Sequence, residues 1–157
     1  MSPETDVKIR AWGLFLSAHA ALLERIEQAL AGADLPPLAW YDVLWELEKA
    51  PERKLRMHDL AQRIVLSRSN LTRLADRLES AGLLAREACP NDRRGNFCVL
   101  TDAGRAIRKK MWPLYRDQIA ALFSDLIDDK QAKVMGDGLA KILGALNCAT
   151  RQATSGS

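Results

Sequence analysis

Ser67-Arg68-Ser69-Asn70-Leu71-Thr72-Arg73-Leu74-Ala75-Asp76-Arg77-Leu78-Glu79-Ser80-Ala81-Gly82-Leu83-Leu84 is the stretch on which the reading of this chain turns. Leu71, Leu74 and Leu78 recur at three- and four-residue steps, the spacing of one helical face. Arg68, Ser69, Asn70, Thr72, Arg73, Asp76 and Arg77 fall on the other face. Ser67 carries a hydroxyl that can accept from first-turn amides, as a helix cap does. Ala81-Gly82 supplies the end. The spacing predicts a helix that buries leucines and shows arginines and small polar groups.

Two apolar runs follow, residues 83–89 and 96–100, and both read as strands. Residues 90–95 join them, with Pro90-Asn91-Asp92 and Gly95 supplying turn chemistry. Arg93 and Arg94 then sit at the apex, with Asp92 placed to steady one of them. Upstream, residues 57–64 read as a short helix with Leu60, Ala61 and Ile64 inward. Leu55-Arg56 reads as a short strand. Short helix, turn, exposed helix and hairpin make a winged helix-turn-helix.

Helices frame this module on both sides. Residues 7–31 repeat Ala11, Leu14/Phe15, Ala18, Leu22, Ile26 and Leu30 on one face, and Gly32 suits a left-handed end. Pro36-Pro37 opens a second helix with Trp40, Val43/Leu44 and Leu47 inward. Thr101 caps a helix running to about residue 127, and Pro113 inside it predicts a kink. Asp128 caps the last helix, with Gln131 in the capping-box position. Its apolar side is Val134, Leu139, Ile142/Leu143 and Leu146. The expected fold class is mainly α with a small β-hairpin wing. The expected division is residues 1–34 as an N-terminal dimerisation helix, 35–104 as the winged region, 105–149 as C-terminal dimerisation helices and 150–157 as a disordered tail, in one compact domain overall.

The net charge of the 157 residues is +3, and it is unevenly spread. Residues 53–110 hold 14 lysines and arginines against 6 acids, leaving 9 against 14 elsewhere. A basic middle between acidic flanks suits a local polyanion; an arginine-rich solvated surface would have the same composition. Cys89, Cys98 and Cys148 show no metal-site spacing, and so sparse a count suits a reducing cytoplasm. The apolar run of residues 11–23 after Lys8 and Arg10 imitates a signal peptide. Glu4 and Asp6 spoil its basic leader, and its helical spacing continues through Ile26 and Leu30. No run approaches a membrane span.

Arginine can hold guanine, and asparagine adenine, through two parallel hydrogen bonds in the major groove. Ser69, Asn70 and Arg73 are therefore expected at base edges, with Ser67, Thr72 and Arg77 on the backbone. Paired arginines on a hairpin can enter a narrow minor groove. The alternatives are a solvent face in which Asp76 or Glu79 pairs with Arg73 along the helix, and a merely soluble turn.

Residues 66–79, then Gly82-Leu83, Asp92-Arg93-Arg94 and Leu100-Thr101-Asp102-Ala103-Gly104, resemble the MarR family of bacterial regulators. The resemblance extends to Leu60-Ala61 and to the helical frame at each end, so it covers nearly the whole chain. It implies an obligate homodimer whose first, fifth and sixth helices interleave across a two-fold axis, and a palindromic double-stranded DNA operator. It carries recognition-helix contacts to residues 67–77, including Arg68, and the wing contact to Asp92, Arg93 and Arg94. The expected function is a cytoplasmic, sequence-specific regulator, a repressor, with no enzymatic activity, cofactor or metal. The residues agree about the dimer, because Trp12, Leu16, Leu23, Leu122 and Leu126 form apolar stripes that one small winged domain cannot bury.

Members of this family often bind small aromatic acids or phenols beside the DNA-binding lobe. Trp12, His19, Trp40, Tyr41, Trp45 and Trp112 fall on helices that would line such a cleft, although each reads singly as a core or interface residue. A redox alternative uses Cys89 and Cys98, which a simple hairpin would set opposite each other at a separation a disulfide can span. A winged-helix protein-interaction module is the remaining alternative, distinguished by a weak dependence on salt.

Overall fold

The computed structural model describes residues 6–65 and 68–154. Its elements run α1 (Val7–Gly32), α2 (Leu38–Lys49), β1 (Lys54–Arg56), α3 (Met57–Arg63), α4 (Leu71–Ser80), β2 (Leu84–Cys89), β3 (Asp92–Leu100), α5 (Asp102–Leu122) and α6 (Asp129–Thr154). The chain divides into two compact units, residues 1–118 and 119–157, with the boundary inside α5.

The first unit closes around one core. Val43, Leu44 and Leu47 of α2 meet Leu55 of β1, Leu60 of α3, the α4 leucines, Leu84 of β2 and Cys98 and Leu100 of β3. Burying each large aliphatic side chain contributes about 1.5–3 kcal/mol before the entropy of ordering it. The sheet is antiparallel in the order β1-β3-β2, so β3 carries the hairpin and also receives the short strand ahead of α3.

Several junctions are set by side chains that take up free backbone groups. Glu27 of α1 accepts from Leu38 N–H at 3.0 Å, capping α2 from another helix. Asp42 of α2 accepts from Val65 N–H at 2.8 Å and so holds the turn after α3. Thr101 ties the start of α5 to the end of α4: its hydroxyl donates to Gly82 O at 2.7 Å and accepts from Gly104 N–H at 3.0 Å. Gly82 takes φ +72°, a conformation that favours glycine.

The structure departs from sequence expectation at several places. Along α1 only Ile26 and Leu30 are buried; Ala11, Leu14, Phe15 and Ala18 are exposed, because helix periodicity cannot say whether a partner covers the apolar stripe. Gly32 stays helical, and Asp34 takes the positive φ instead. Tyr41 is buried on α2, while Trp40 is only half-buried. Ser67, the expected cap, lies outside the described residues, and α4 starts at Leu71 after a 3₁₀ turn spanning Arg68–Asn70. The helix through Pro113 ends at Leu122, short of the expected residue 127.

The hairpin differs most. Cys89 pairs with Asp92, so the loop is the two residues Pro90 and Asn91. Arg93, Arg94 and Gly95 belong to β3, where a register shift sets residues 93–95 against the step from Ala88 to Cys89. They flank the turn and do not form its apex. Cys98 consequently pairs with Arg86, not with Cys89. Three residues of strand, about 10 Å, separate the expected from the observed position, beyond the reach of a disulfide. Both thiols are free and buried.

In the second unit, Asp128 and Gln131 form the expected reciprocal cap of α6, at 2.8 and 3.0 Å. The helix continues to Thr154, into the segment expected to be a tail. Val134, Ile142, Leu143 and Leu146 are exposed along it. Among the described residues no helix is long and apolar enough to cross a membrane.

Candidate nucleic-acid interface

Leu71, Leu74, Ala75 and Leu78 are buried on one side of α4. That anchorage turns Thr72, Arg73, Asp76 and Arg77 outward, and all four are exposed. Ser69 and Asn70 are exposed on the turn just ahead of the helix. Asn70 is the α4 N-cap by position, yet its side chain makes no capping hydrogen bond, so its amide is not committed to the helix. Ser67 lies outside the described residues. The backbone of Arg68 sits on the turn and that of Asp92, Arg93 and Arg94 on β3; their side chains lie outside the description.

The expected alternative pairing along α4 is not formed. Asp76 Oδ1 lies 2.5 Å from Arg86 Nη2, and Glu79 Oε2 lies 3.4 Å from Arg86 Nε. Arg86 is half-buried on β2 and therefore reaches both acids from the wing side. The second contact is an ion pair and not a hydrogen bond, since Arg86 Nε has no acceptor in bonding geometry. Arg73 and Arg77 have no carboxylate partner among the described residues.

Further cations lie on the sheet. Lys54 Nζ and the Arg56 guanidinium stand 5.4 and 5.6 Å from the centre of the Phe97 ring, an arrangement that holds both charges at the surface. Glu52 hydrogen-bonds the Lys54 ammonium and raises its pKa, so it stays charged at neutral pH. Burial pushes the Cys98 thiol up, against the Arg86 guanidinium that pulls it down, with Glu79 adding a further push upward. The thiol is therefore held protonated and unreactive.

Behind this surface α2 is clamped to α5. Glu48 pairs with Arg108 through Nε, and with Arg105 at 3.1 Å. Arg108 is 8% exposed and lies 5.1 Å from the Trp45 ring centre. The aromatic candidates separate into groups. Tyr41 and Trp112 stack at 6.2 Å, with Tyr115 edge-on to both at 5.1 and 6.1 Å. Trp12 and His19 each neighbour Phe15 on α1, and Trp12 is exposed. Trp45 lies under Lys49 and Arg108. Trp40 packs against the core. Of the candidates expected from sequence, Tyr41 and Trp112 come together from different helices, and Tyr115 completes their cluster. Among the described residues no group of three or more His, Cys, Asp or Glu side chains is placed to hold a metal.

Sequence reading did not single out Asp42, Glu48, Arg86 or Arg108. Glu48 is separated from Arg105 and Arg108 by more than fifty positions, which no local pattern reports. Arg86 carries no local signal either, because its acid partners lie ten and seven positions back, on another element.

A short helix, a turn fixed by Asp42, an exposed basic helix and an adjoining hairpin define a winged helix-turn-helix protein. Residues 33–95 match the family model described as MarR family. The chain is 34% identical over 80 residues to the uncharacterized HTH-type transcriptional regulator YkoM of Bacillus subtilis (strain 168), spanning 51% of this chain and about half, 52%, of that relative. It is similar in structure to AbsC, a MarR family transcriptional regulator from Streptomyces coelicolor, with 31% identity, a TM-score of 0.82 and coverage of 91% of this chain and 96% of that one. It is also similar to Sco3205, a MarR family regulator from the same organism solved in complex with DNA, with 29% identity, a TM-score of 0.83 and coverage of 90% and 89%. The chain belongs to the MarR family of transcriptional regulators.

Proposed function

We propose that this protein is a cytoplasmic transcriptional repressor that binds a palindromic DNA operator as a homodimer. The observation that carries the reading is the α4 surface: Ser69, Asn70, Thr72, Arg73 and Arg77 are exposed together, and both arginines lack carboxylate partners among the described residues. A solvated face would be expected to pair its own charges along the helix. In this reading Ser69, Asn70 and Arg73 meet base edges in the major groove. Ser67, Thr72 and Arg77 hold the backbone, Arg68 lies among the same helix contacts, and the wing takes Arg93 and Arg94, steadied by Asp92, to the minor groove. The solved DNA complex of Sco3205 supports the same use of the fold.

Exposed apolar side chains favour the dimer. Trp12 and Leu16 on α1, and Ile142 and Leu143 on α6, stand between 46% and 59% exposed, a cost that a second copy removes. Two-fold symmetry then sets the recognition helices about one DNA turn, ~34 Å, apart. Occupation of such a site blocks polymerase. A small aromatic acid or phenol taken up beside Tyr41 and Trp112 would release it, for which a differential affinity of ~1–3 kcal/mol suffices.

The test is selection of duplexes from a random-sequence pool, followed by footprinting on the enriched sequence. An inverted repeat with half-sites about 10 base pairs apart, protected by a dimer, is expected. A protein that enriches no sequence, or sediments as a monomer at micromolar concentration, overturns the reading.

A further inference from the structure

The acids on α4 pose a problem for a surface that approaches phosphates. Asp76 follows Arg73 by three positions, so the two are neighbours on the helix surface and would ordinarily pair. Asp76 and Glu79 together would also cancel much of the positive charge that Arg73 and Arg77 bring. In the structure neither acid goes to a helix arginine. Both go to Arg86, which reaches across from β2 at 2.5 and 3.4 Å. Arg86 is held there by its strand: it pairs in register with Cys98, which is fully buried.

We infer that Arg86 is a positioning residue for DNA binding, which takes Asp76 and Glu79 out of competition and leaves the Arg73 guanidinium free for the duplex. The inference rests on the proposed use of α4 for DNA. Arg86 need not touch the nucleic acid. Its effect is on charge: without it, Asp76 turns to Arg73 and neutralises it, and Glu79 is left as an uncompensated carboxylate beside the recognition face. The wing strand therefore determines how well the helix reads, through an ion pair and not through a phosphate contact.

The experiment uses a duplex enriched by the full-length wild-type protein from a random-sequence pool, with affinity measured against salt. Arg86→Gln is expected to weaken binding about tenfold at low salt and to reduce the salt slope by about one. Adding Asp76→Asn and Glu79→Gln to Arg86→Gln should restore both. In the wild-type background, Asp76→Asn with Glu79→Gln should bind at least as tightly as wild type and with a steeper slope. A purely structural tie between wing and helix makes the opposite forecast, since removing the acids breaks that tie as surely as removing Arg86. Weak binding by the Asp76→Asn/Glu79→Gln protein therefore overturns the inference, even if Arg86→Gln fails to fold. So does a well-folded Arg86→Gln protein with unchanged affinity and slope. If the wild type enriches no duplex, the DNA reading itself is lost and this inference with it; if the wild type binds and Arg73→Ala does not, the failure belongs to Arg86 alone.

Discussion

Arg86 Nη2 lies 2.5 Å from Asp76 Oδ1, so a wing strand holds the acid that stands next to Arg73 on α4. Charge along α4 is thereby sorted by a contact between elements. The i,i+3 pairing that the helix offers is worth only about 0.2–0.5 kcal/mol, which a shorter contact to a half-buried guanidinium can outcompete. Arg73 is left exposed and without a carboxylate among the described residues, the state a base-reading arginine requires.

Arg73→Ala should therefore weaken specific binding by ~1–3 kcal/mol and relax sequence preference at one position of each half-site. Arg94→Ala should weaken binding to all sequences alike and lower the salt slope by about one. Fluorescence anisotropy on cognate and scrambled duplexes separates the two effects. Equal losses on both duplexes for Arg73→Ala would remove it from the base-reading set.

Glu48 carries more of the fold than of the surface. It meets Arg105 and the buried Arg108 from α2, so Glu48→Gln leaves a desolvated guanidinium without its counter-charge. A loss of about 3–5 kcal/mol is expected, the scale of breaking one side of a buried ion pair. Urea unfolding of wild type and variant measures it; a loss under 1 kcal/mol would mean that water reaches the pair.

Gly104 has no room for a side chain. A Cβ there would collide with the Leu83 carbonyl oxygen and press on Leu100 Cδ1 at 2.8 Å. Backbone cannot step aside as a flexible side chain does, so Gly104→Ala should cost at least ~1–3 kcal/mol of stability. Thermal melting is the readout, with Ala103→Gly as a helix-propensity control.

Tyr115 gives a pH dependence. Its phenol pKa is raised, chiefly by burial and secondly by Tyr41 and Asp42. The folded value thus lies above the unfolded one, near 10. The folded state keeps its proton where the unfolded state has lost it, so this contribution to stability is full below the ordinary tyrosine range. It is lost as pH rises from there through the raised folded value. Tyr115→Phe should flatten the alkaline fall in denaturant midpoint; an unchanged alkaline limb would assign that fall to other groups.

Cys98 should resist alkylation in the folded protein at neutral pH and react once the chain is unfolded. The thiol is buried and held protonated. Fast labelling under native conditions, read by intact mass on a Cys89→Ser, Cys148→Ser background, would show that the wing opens on its own.

Local periodicity made much of this molecule legible before any coordinates. The leucine stripe of α4, the Thr101 start of α5 and the reciprocal Asp128–Gln131 cap are encoded within a few neighbouring residues, and side chains three or four positions apart on a helix necessarily share a face. The exposed arginines of the candidate site were readable for the same reason. What a local pattern cannot hold is a choice among distant partners. Whether Asp76 goes to Arg73 or to Arg86, whether Cys98 faces Cys89 or Arg86, and which acid meets the buried Arg108 all depend on strand register and on contacts ten to sixty positions apart. The turn fell at Pro90-Asn91 instead of Arg93-Arg94, and the three extra residues of the β3 bulge made up only part of that shift, so Cys98 met Arg86 and not Cys89.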